Sequence, residues 1–167
     1  MASGMHRSAG SIVIAAGPST VASLLPNSAA ARAWSEQSRP VLAACLDLAL
    51  SSLPIANRGL LLGVDVPLYA SVHSDAARLA PGTGAVIHAA KYLPIDASSD
   101  ASSALSVEGE LEAMMDVFQP GWRALVVHRR FLPRLTVMND IPGVRPWPGT
   151  AVPDMRGIHV VGDWVQR

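Results

Sequence analysis

The sequence predicts a mixed α/β (α+β) chain in which a largely antiparallel sheet, with helices laid over it, lies between two strands at opposite ends. Three observations carry this. Ser11 to Ala16 and the stretch from Ile158 to Val161 are short apolar runs, and each stops at a glycine, Gly17 and Gly162. Between them, several strand-like runs follow one another across short turns, the pattern of antiparallel pairing. One segment, Ser106 to Phe118, has the three- and four-residue apolar spacing of an amphipathic helix.

Residues 1–9 read as a ragged start, and Ser11 to Ala16 (S-I-V-I-A-A) as a strand ended by Gly17-Pro18. Ser19 or Thr20 then caps a short helix to Leu25, a strand–turn–helix junction of the kind that brings backbone N–H groups to a ligand. Pro26-Asn27-Ser28 breaks the chain, and Ala29 to Glu36 reads as a second short helix. Val41 to Leu50 is almost continuously apolar, with Asp47 its lone charge, and periodicity leaves strand and helix both open. Arg58 to Val66 and Leu68 to His73 read as strands separated by Pro67. Ser74-Asp75 caps a helical turn ending at Leu79-Ala80, Pro81-Gly82-Thr83-Gly84 is a turn, and Ala85 to Tyr92 is a further strand.

Asp96 to Ser103 is small and polar, the one linker-like segment. The helix opened by Ser106 has acids in its first turns, as the helix dipole favours, and Leu111, Met114, Met115 and Phe118 along one face. Pro120-Gly121 stops it, and Trp122 opens a strand from Arg123 to Phe131 that continues after Pro133 from Leu135 to Met138. A return through Pro142, Pro146, Pro148 and Pro153 leads to the closing stretch, Gly157 to Trp164.

Composition narrows the possible roles. Half of the 167 residues are hydrophobic, 16% are charged, and the formal net charge is zero. That is a globular composition of one domain, or part of a larger protein. It has no positive excess to offset a phosphate backbone, so nucleic acid is excluded as the expected partner. The single cysteine, Cys45, rules out an intrachain disulfide and fits a reducing compartment; its apolar neighbours make it a buried small hydrophobe. No uninterrupted apolar run approaches the ~18 residues of a transmembrane helix. The run Ile12 to Leu25 after His6-Arg7 has the outline of an export signal, but Gly17-Pro18 breaks it too early. Cytoplasm is the expected location.

Several constellations fall to plainer readings. Ser71, His73 and Asp75 alternate along a strand, which sets neighbours on one face about 7 Å apart, beyond hydrogen-bond reach. His73, His88, His128, His159 and Cys45 lack metal-ligand spacing. Pro81 to Gly84 lacks the Lys-Ser/Thr pair of a phosphate loop and precedes a strand. His128-Arg129-Arg130 is a basic cluster in an apolar strand; its side chains alternate to solvent, or one arginine faces an anionic cofactor or an acid of a partner domain. Gly162-Asp163 is different in kind. A strand running into Gly-Asp stands where α/β sheets bind ligands: glycine admits close approach, and ionised aspartate offers only acceptors, suited to ligand hydroxyls. Paired with Ile12 to Gly17 in one sheet, the two glycine-ended strands would converge on one ligand, with an inserted domain between them.

These residues resemble the FAD-dependent amine oxidase and phytoene desaturase (carotenoid dehydrogenase) flavoproteins. The stretch Pro153 to Trp164 (P-D-M-R-G-I-H-V-V-G-D-W) resembles the family's carboxyl-terminal flavin motif, with Pro153 in place of the usual threonine. Val13 to Pro18 is similar to the family's Ala-Thr-Gly-like strand, with Ala16 where threonine is common. Gly63 to Val66, Tyr69 to Ser74, Leu79-Ala80-Pro81, Lys91-Tyr92-Leu93 and Pro120-Gly121-Trp122 follow in the order of the substrate-domain portion of bacterial desaturase-like members.

The resemblance implies FAD as cofactor, hydride transfer from an organic substrate to it, and a small apolar or amine-type substrate. It implies that Ala15, Ala16 and Gly17 border the dinucleotide, that Gly162 allows close approach beside Trp164, and that Asp163 bonds the flavin ribityl or phosphate-bridged region. It divides the chain into a piece of the FAD-binding domain (1–26), a substrate-binding domain (27–140) and a return to the Rossmann-like FAD-binding domain (141–167). The family's Gly-x-Gly-x-x-Gly unit is absent from these residues, and so is the helix that follows Gly-Asp-Trp. The expectation is therefore a carboxyl-terminal fragment whose partner is an amino-terminal FAD-binding half. No residue transfers as a catalytic acid or base, and the surroundings of Lys91 do not match the lysine of amine oxidases. The competing reading is a non-catalytic binding module that has lost the cofactor site.

Overall fold

The computed structural model describes residues 8–96, 100–141, 143 and 145–166. The start of the chain, part of the linker-like segment and Pro142 of the proline-rich return thus lie outside the described residues. The chain forms a mixed α/β fold divided into two compact units. One is built from Met1–Pro40 and Met138–Arg167, the other from Val41–Val137.

The first unit pairs the two ends of the chain. β1 (Ile12–Ala15) and β7 (Ile158–Val161) run parallel, with Ile12 opposite Ile158 and Ala15 opposite Val161. Parallel neighbours require a long connection, and here the second unit is threaded through it. α1 (Pro18–Leu24) and α2 (Ala29–Gln37) belong to this unit, whose core joins Val21, Ala31, Val152, Val160 and Trp164. Trp34 of α2 lies 5.6 Å from Trp164, ring centre to ring centre. This corrects the expected boundary at residue 26: Ala31 and Trp34 bury their apolar surface against this core, so α2 belongs with the chain ends.

α1 is entered differently from expectation. Pro18 occupies its first turn, where a fixed φ and a missing N–H cost nothing, so Gly17 takes the cap position instead of Ser19 or Thr20. α2 is capped twice. Ser28 Oγ accepts from Ala31 N (3.0 Å) and donates to Asp154 Oδ1 (2.7 Å), while Asp154 Oδ2 accepts from Ala30 N (3.2 Å). Asp154 is acidic at the positive end of the helix, and the bond from Ser28 lowers its pKa further.

The second unit is a five-stranded sheet in the order β3-β4-β5-β2-β6, formed by β2 (Val41–Leu50), β3 (Leu60–Leu62), β4 (Leu68–Val72), β5 (Ala85–Leu93) and β6 (Val126–Met138). β3–β4, β4–β5 and β5–β2 are antiparallel, as the succession of short turns predicts. β2 resolves the strand-or-helix ambiguity. Ala44, Leu46, Leu48 and Leu50 face the main core, while Ala43 and Cys45 face the other way, so burial on both faces erases the alternation.

α3 (Ala101–Phe118) packs on one face through Leu111, Met114, Met115 and Phe118, each fully or nearly buried against Leu46, Leu48, Ile87 and neighbours. Full burial of side chains this size is worth about 1.5–3 kcal/mol apiece. The helix starts five residues before the expected Ser106, because Asp100 Oδ1 accepts from Ser103 N (2.8 Å) and caps it inside the linker-like segment. It ends as expected at Pro120-Gly121, where Gly121 adopts φ 83°, a conformation glycine alone adopts without strain.

Other expectations shift by a turn. β3 spans only Leu60–Leu62, because Gly63 N donates to Leu68 O (2.8 Å) and folds 63–67 into a loop. His73–Asp75 is a single 3-10 turn, and Ser74 Oγ accepts from Val86 N (3.2 Å) instead of capping a helix. A 3-10 turn, Trp122–Leu125, precedes β6, which then runs unbroken through Pro133. Proline is tolerated there because β6 is the sheet's outer strand, where one row of N–H groups has no partner to supply.

Candidate functional site

The parallel register of β1 and β7 brings both glycine-ended strands to one edge of the first unit, so Ala16-Gly17 and Gly162-Asp163 leave the pair side by side. Trp164 ties them together: its Nε1 donates to the Ala16 carbonyl at 2.9 Å. The indole is otherwise core, 2% exposed. Gly162 is needed for this fold-back, since a Cβ would lie 2.8 Å from Trp164 Nε1 and 2.9 Å from its Cδ1. A Cβ at Gly17 would meet Asn139 Oδ1, so a side chain there would displace the amide that orients Asp163.

Asn139 is the member of this cluster that sequence reasoning missed. Its backbone N–H donates to Asp163 Oδ2 (3.0 Å) and its Nδ2 to Asp163 Oδ1 (2.9 Å). The exposed carboxylate is thereby fixed in orientation. Each oxygen retains one lone pair for a further donor, such as a ligand hydroxyl. The fold brings Ala15, Ala16, Gly17, Gly162, Asp163 and Trp164 together, with the close approach at each glycine made by a protein side chain, Asn139 or Trp164.

A second candidate lies wholly in the other unit. On the sheet face turned away from the main core, Asp47, His73, Val86, His88, His128 and Arg130 are among the residues that line a cleft of about 420 Å³. Asp47 and His88 are directly opposed across β2 and β5. His88 Nδ1 lies 2.6 Å from Asp47 Oδ1, while Arg130 Nη2 and Nε donate to Asp47 Oδ2 at 2.7 and 3.2 Å. Burial alone would raise the Asp47 pKa; the hydrogen bonds from Arg130 and His88, with the guanidinium charge, outweigh it and hold the carboxyl below its ordinary value. Beside it, burial first and Asp47 second push the Cys45 thiol up to about 11, against an opposing pull from Arg130. Cys45 is therefore a neutral thiol at physiological pH. Tyr69 stands 5.9 Å from His88, and His73 5.5 Å, ring centre to ring centre.

A folded pKa below the unfolded one means that Asp47 stabilises the fold above about pH 4 and loses that contribution as pH falls through the folded value. Arg130→Gln is accordingly expected to lower the urea midpoint at neutral pH, with the gap to wild type narrowing as acid protonates Asp47 in the folded chain. A gap that stays constant across that titration, measured by fluorescence, would show that Arg130 contributes by packing and not by charge.

The basic cluster His128-Arg129-Arg130 does not simply meet solvent, because both arginines have acidic partners within the unit. Arg129 pairs with Glu108 and Glu112 of α3 at 2.6 Å each, and Arg130 pairs with Asp47. Lys91 is occupied as well, 2.6 Å from Glu110. Among the described residues no group of three or more His, Cys, Asp and Glu side chains is placed to hold a metal ion, and no helix is long and apolar enough to cross a membrane. One signal did point to the cleft, namely Asp47 as the only charge in an apolar strand. Nothing local named His88 and Arg130 as its partners.

No family model matches the sequence, and no curated protein matches it. Its fold is similar to the crystal structure of an oxidoreductase from Methanosarcina mazei, with a TM-score of 0.66 and 20% sequence identity over 95% of this chain. The chain spans 39% of the length of that protein.

Proposed function

We propose that this chain is the substrate-domain portion, with flavin-contacting return strands, of an FAD-dependent oxidoreductase of the desaturase and amine oxidase type, acting in the cytoplasm on a small apolar or amine-type substrate. The observation that carries the reading is the parallel pairing of β1 with β7, which delivers Ala15 to Gly17 and Gly162-Asp163 to one edge. The likeness in fold to an oxidoreductase over 95% of the chain supports it. When bound, the flavin supplies the hydride acceptor. The residues present fit its hydroxyl-bearing part in that Asp163, oriented by Asn139, keeps acceptor positions for hydroxyls; on this reading the backbone at Ala15 and Ala16 would border the ligand. They do not include a Gly-x-Gly-x-x-Gly cradle for the pyrophosphate, whose contacts fall to an amino-terminal FAD-binding half.

Titrating the purified chain with FAD, followed by flavin fluorescence, is expected to give saturable quenching. Asp163→Ala is expected to weaken it about tenfold or more, the worth of one hydrogen bond to a charged group. Equal binding by the variant would remove Asp163 from the site. A chain that binds no FAD would favour a second reading, a non-catalytic module in which Asp163 serves only to hold Asn139.

A further inference from the structure

We propose that the cleft on the open sheet face binds a small organic acid carrying a hydroxyl or amino group next to its carboxylate, with Arg130 taking the carboxylate and His88 accepting from the neighbouring donor. The site lies within one unit and does not rest on the flavin reading.

The argument begins with Asp47. An ionised carboxylate in an apolar strand is costly, and a hydrophobic pair of similar volume commonly does as well or better for stability. What the ion pair gives is orientation. Ionised Asp47 has no proton to donate, so the 2.6 Å bond to His88 Nδ1 places the imidazole proton on Nδ1. On a ring holding a single proton, that leaves Nε2 as an acceptor. It has no hydrogen-bond partner among the described residues and is not among their buried unsatisfied atoms, so it presents that acceptor to the cleft.

Arg130 presents the complementary group. Two of its five N–H donors engage Asp47 Oδ2, its side chain is 60% exposed, and the remaining donors form a cationic edge. Because His88 and Arg130 hold the two oxygens of one carboxylate, an acceptor and a charged donor edge stand side by side on the cleft wall. A ligand that satisfies both carries an anionic acceptor and a hydrogen-bond donor on adjacent atoms, which describes a 2-hydroxy or 2-amino acid. Asp47 is the only acid lining the cleft among the described residues, and its charge is already met by Arg130. Ala49 and Val86 offer apolar wall for a short aliphatic chain, and a cleft of about 420 Å³ admits a molecule of this size.

The test is a titration of the ¹⁵N-labelled chain, observing the His88 ring nitrogens, with L-lactate and L-alanine as probes and propionate and 2-propanol as the same skeleton lacking one group. Saturable shifts with lactate or alanine, propionate weaker by about tenfold, and no response to 2-propanol are expected. His88→Phe should abolish the preference for lactate over propionate, and Arg130→Gln should lose both acids, with backbone amide spectra confirming that each variant is folded. The proposal is overturned if neither two-group probe binds, if propionate binds as tightly as lactate, or if folded His88→Phe keeps the preference. Should the variants unfold, the comparison of probes on the wild-type chain decides alone. The flavin titration reads a different chromophore in a different unit, so either idea can fail without the other.

Discussion

Trp164→Ala is expected to destabilise the unit formed by the chain ends by about 3–5 kcal/mol, the usual cost of removing a buried tryptophan. The side chain is 2% exposed, packs on Trp34 and fills the core between β7 and the two helices. Its loss opens a cavity and also takes the donor from the Ala16 carbonyl. The measurement is a urea titration monitored by tryptophan fluorescence and by amide exchange, which separates the two units. Exchange should accelerate at Ile14, Val160 and Val21 while Leu46 and Ile87 stay protected. Trp164→Phe, which keeps most of the volume but no N–H, should recover the greater part of the stability. An unchanged midpoint for the alanine variant would contradict the packing described for this core.

The second large effect is expected at Gln119, a fully buried polar residue just past the end of α3. Its Oε1 accepts from Ile55 N at 2.8 Å, and its Nε2 donates to the carbonyls of Ile55 (3.1 Å) and Arg58 (3.0 Å). One side chain therefore satisfies the backbone of the loop between β2 and β3. Gln119→Leu keeps the volume and strands three backbone groups, each costing about 1–3 kcal/mol if it stays buried. The loop can open to water and recover part of this, so a loss of about 2–4 kcal/mol is expected for the sheet unit. Limited proteolysis should show new cleavage between Ser51 and Gly59. Absence of both effects would mean that the loop is held by other contacts.

What the sequence made legible depended on how far apart the cooperating residues lie. β1 and β7 were readable because each is a short apolar run closed by a glycine, while their pairing entered only as a condition that the parallel register meets. The apolar face of α3 was readable from Leu111 to Phe118, but its first turn was not, since Ala-Ser-Ser-Ala has the composition of a linker and only the Asp100 cap commits it to helix. Val41 to Leu50 hid its period because both of its faces are covered. The sites show the same limit more sharply. Asp47 stood out as a charge in an apolar run, yet its partners lie 41 and 83 positions away, a distance that only the sheet register closes. Asn139 carries no local signal at all; it matters because the fold returns Asp163 to it from 24 positions downstream.

The pairing of β1 with β7 also fixes an order of events. Ala16 and Trp164 are 148 positions apart, so their contact has among the largest loop-closure costs the chain can incur. The sheet unit is assembled from strands that follow one another closely, and every element it needs has been made by the time β6 is synthesised. A growing polypeptide therefore completes the sheet unit first, while Ile12 to Leu25, already made, still lacks the strand it pairs with and the Trp164 it packs on. Until Ile158 to Trp164 have been made, Val21 and Leu25 lack the partners they pack against in the folded unit and remain available to chaperones and to other chains.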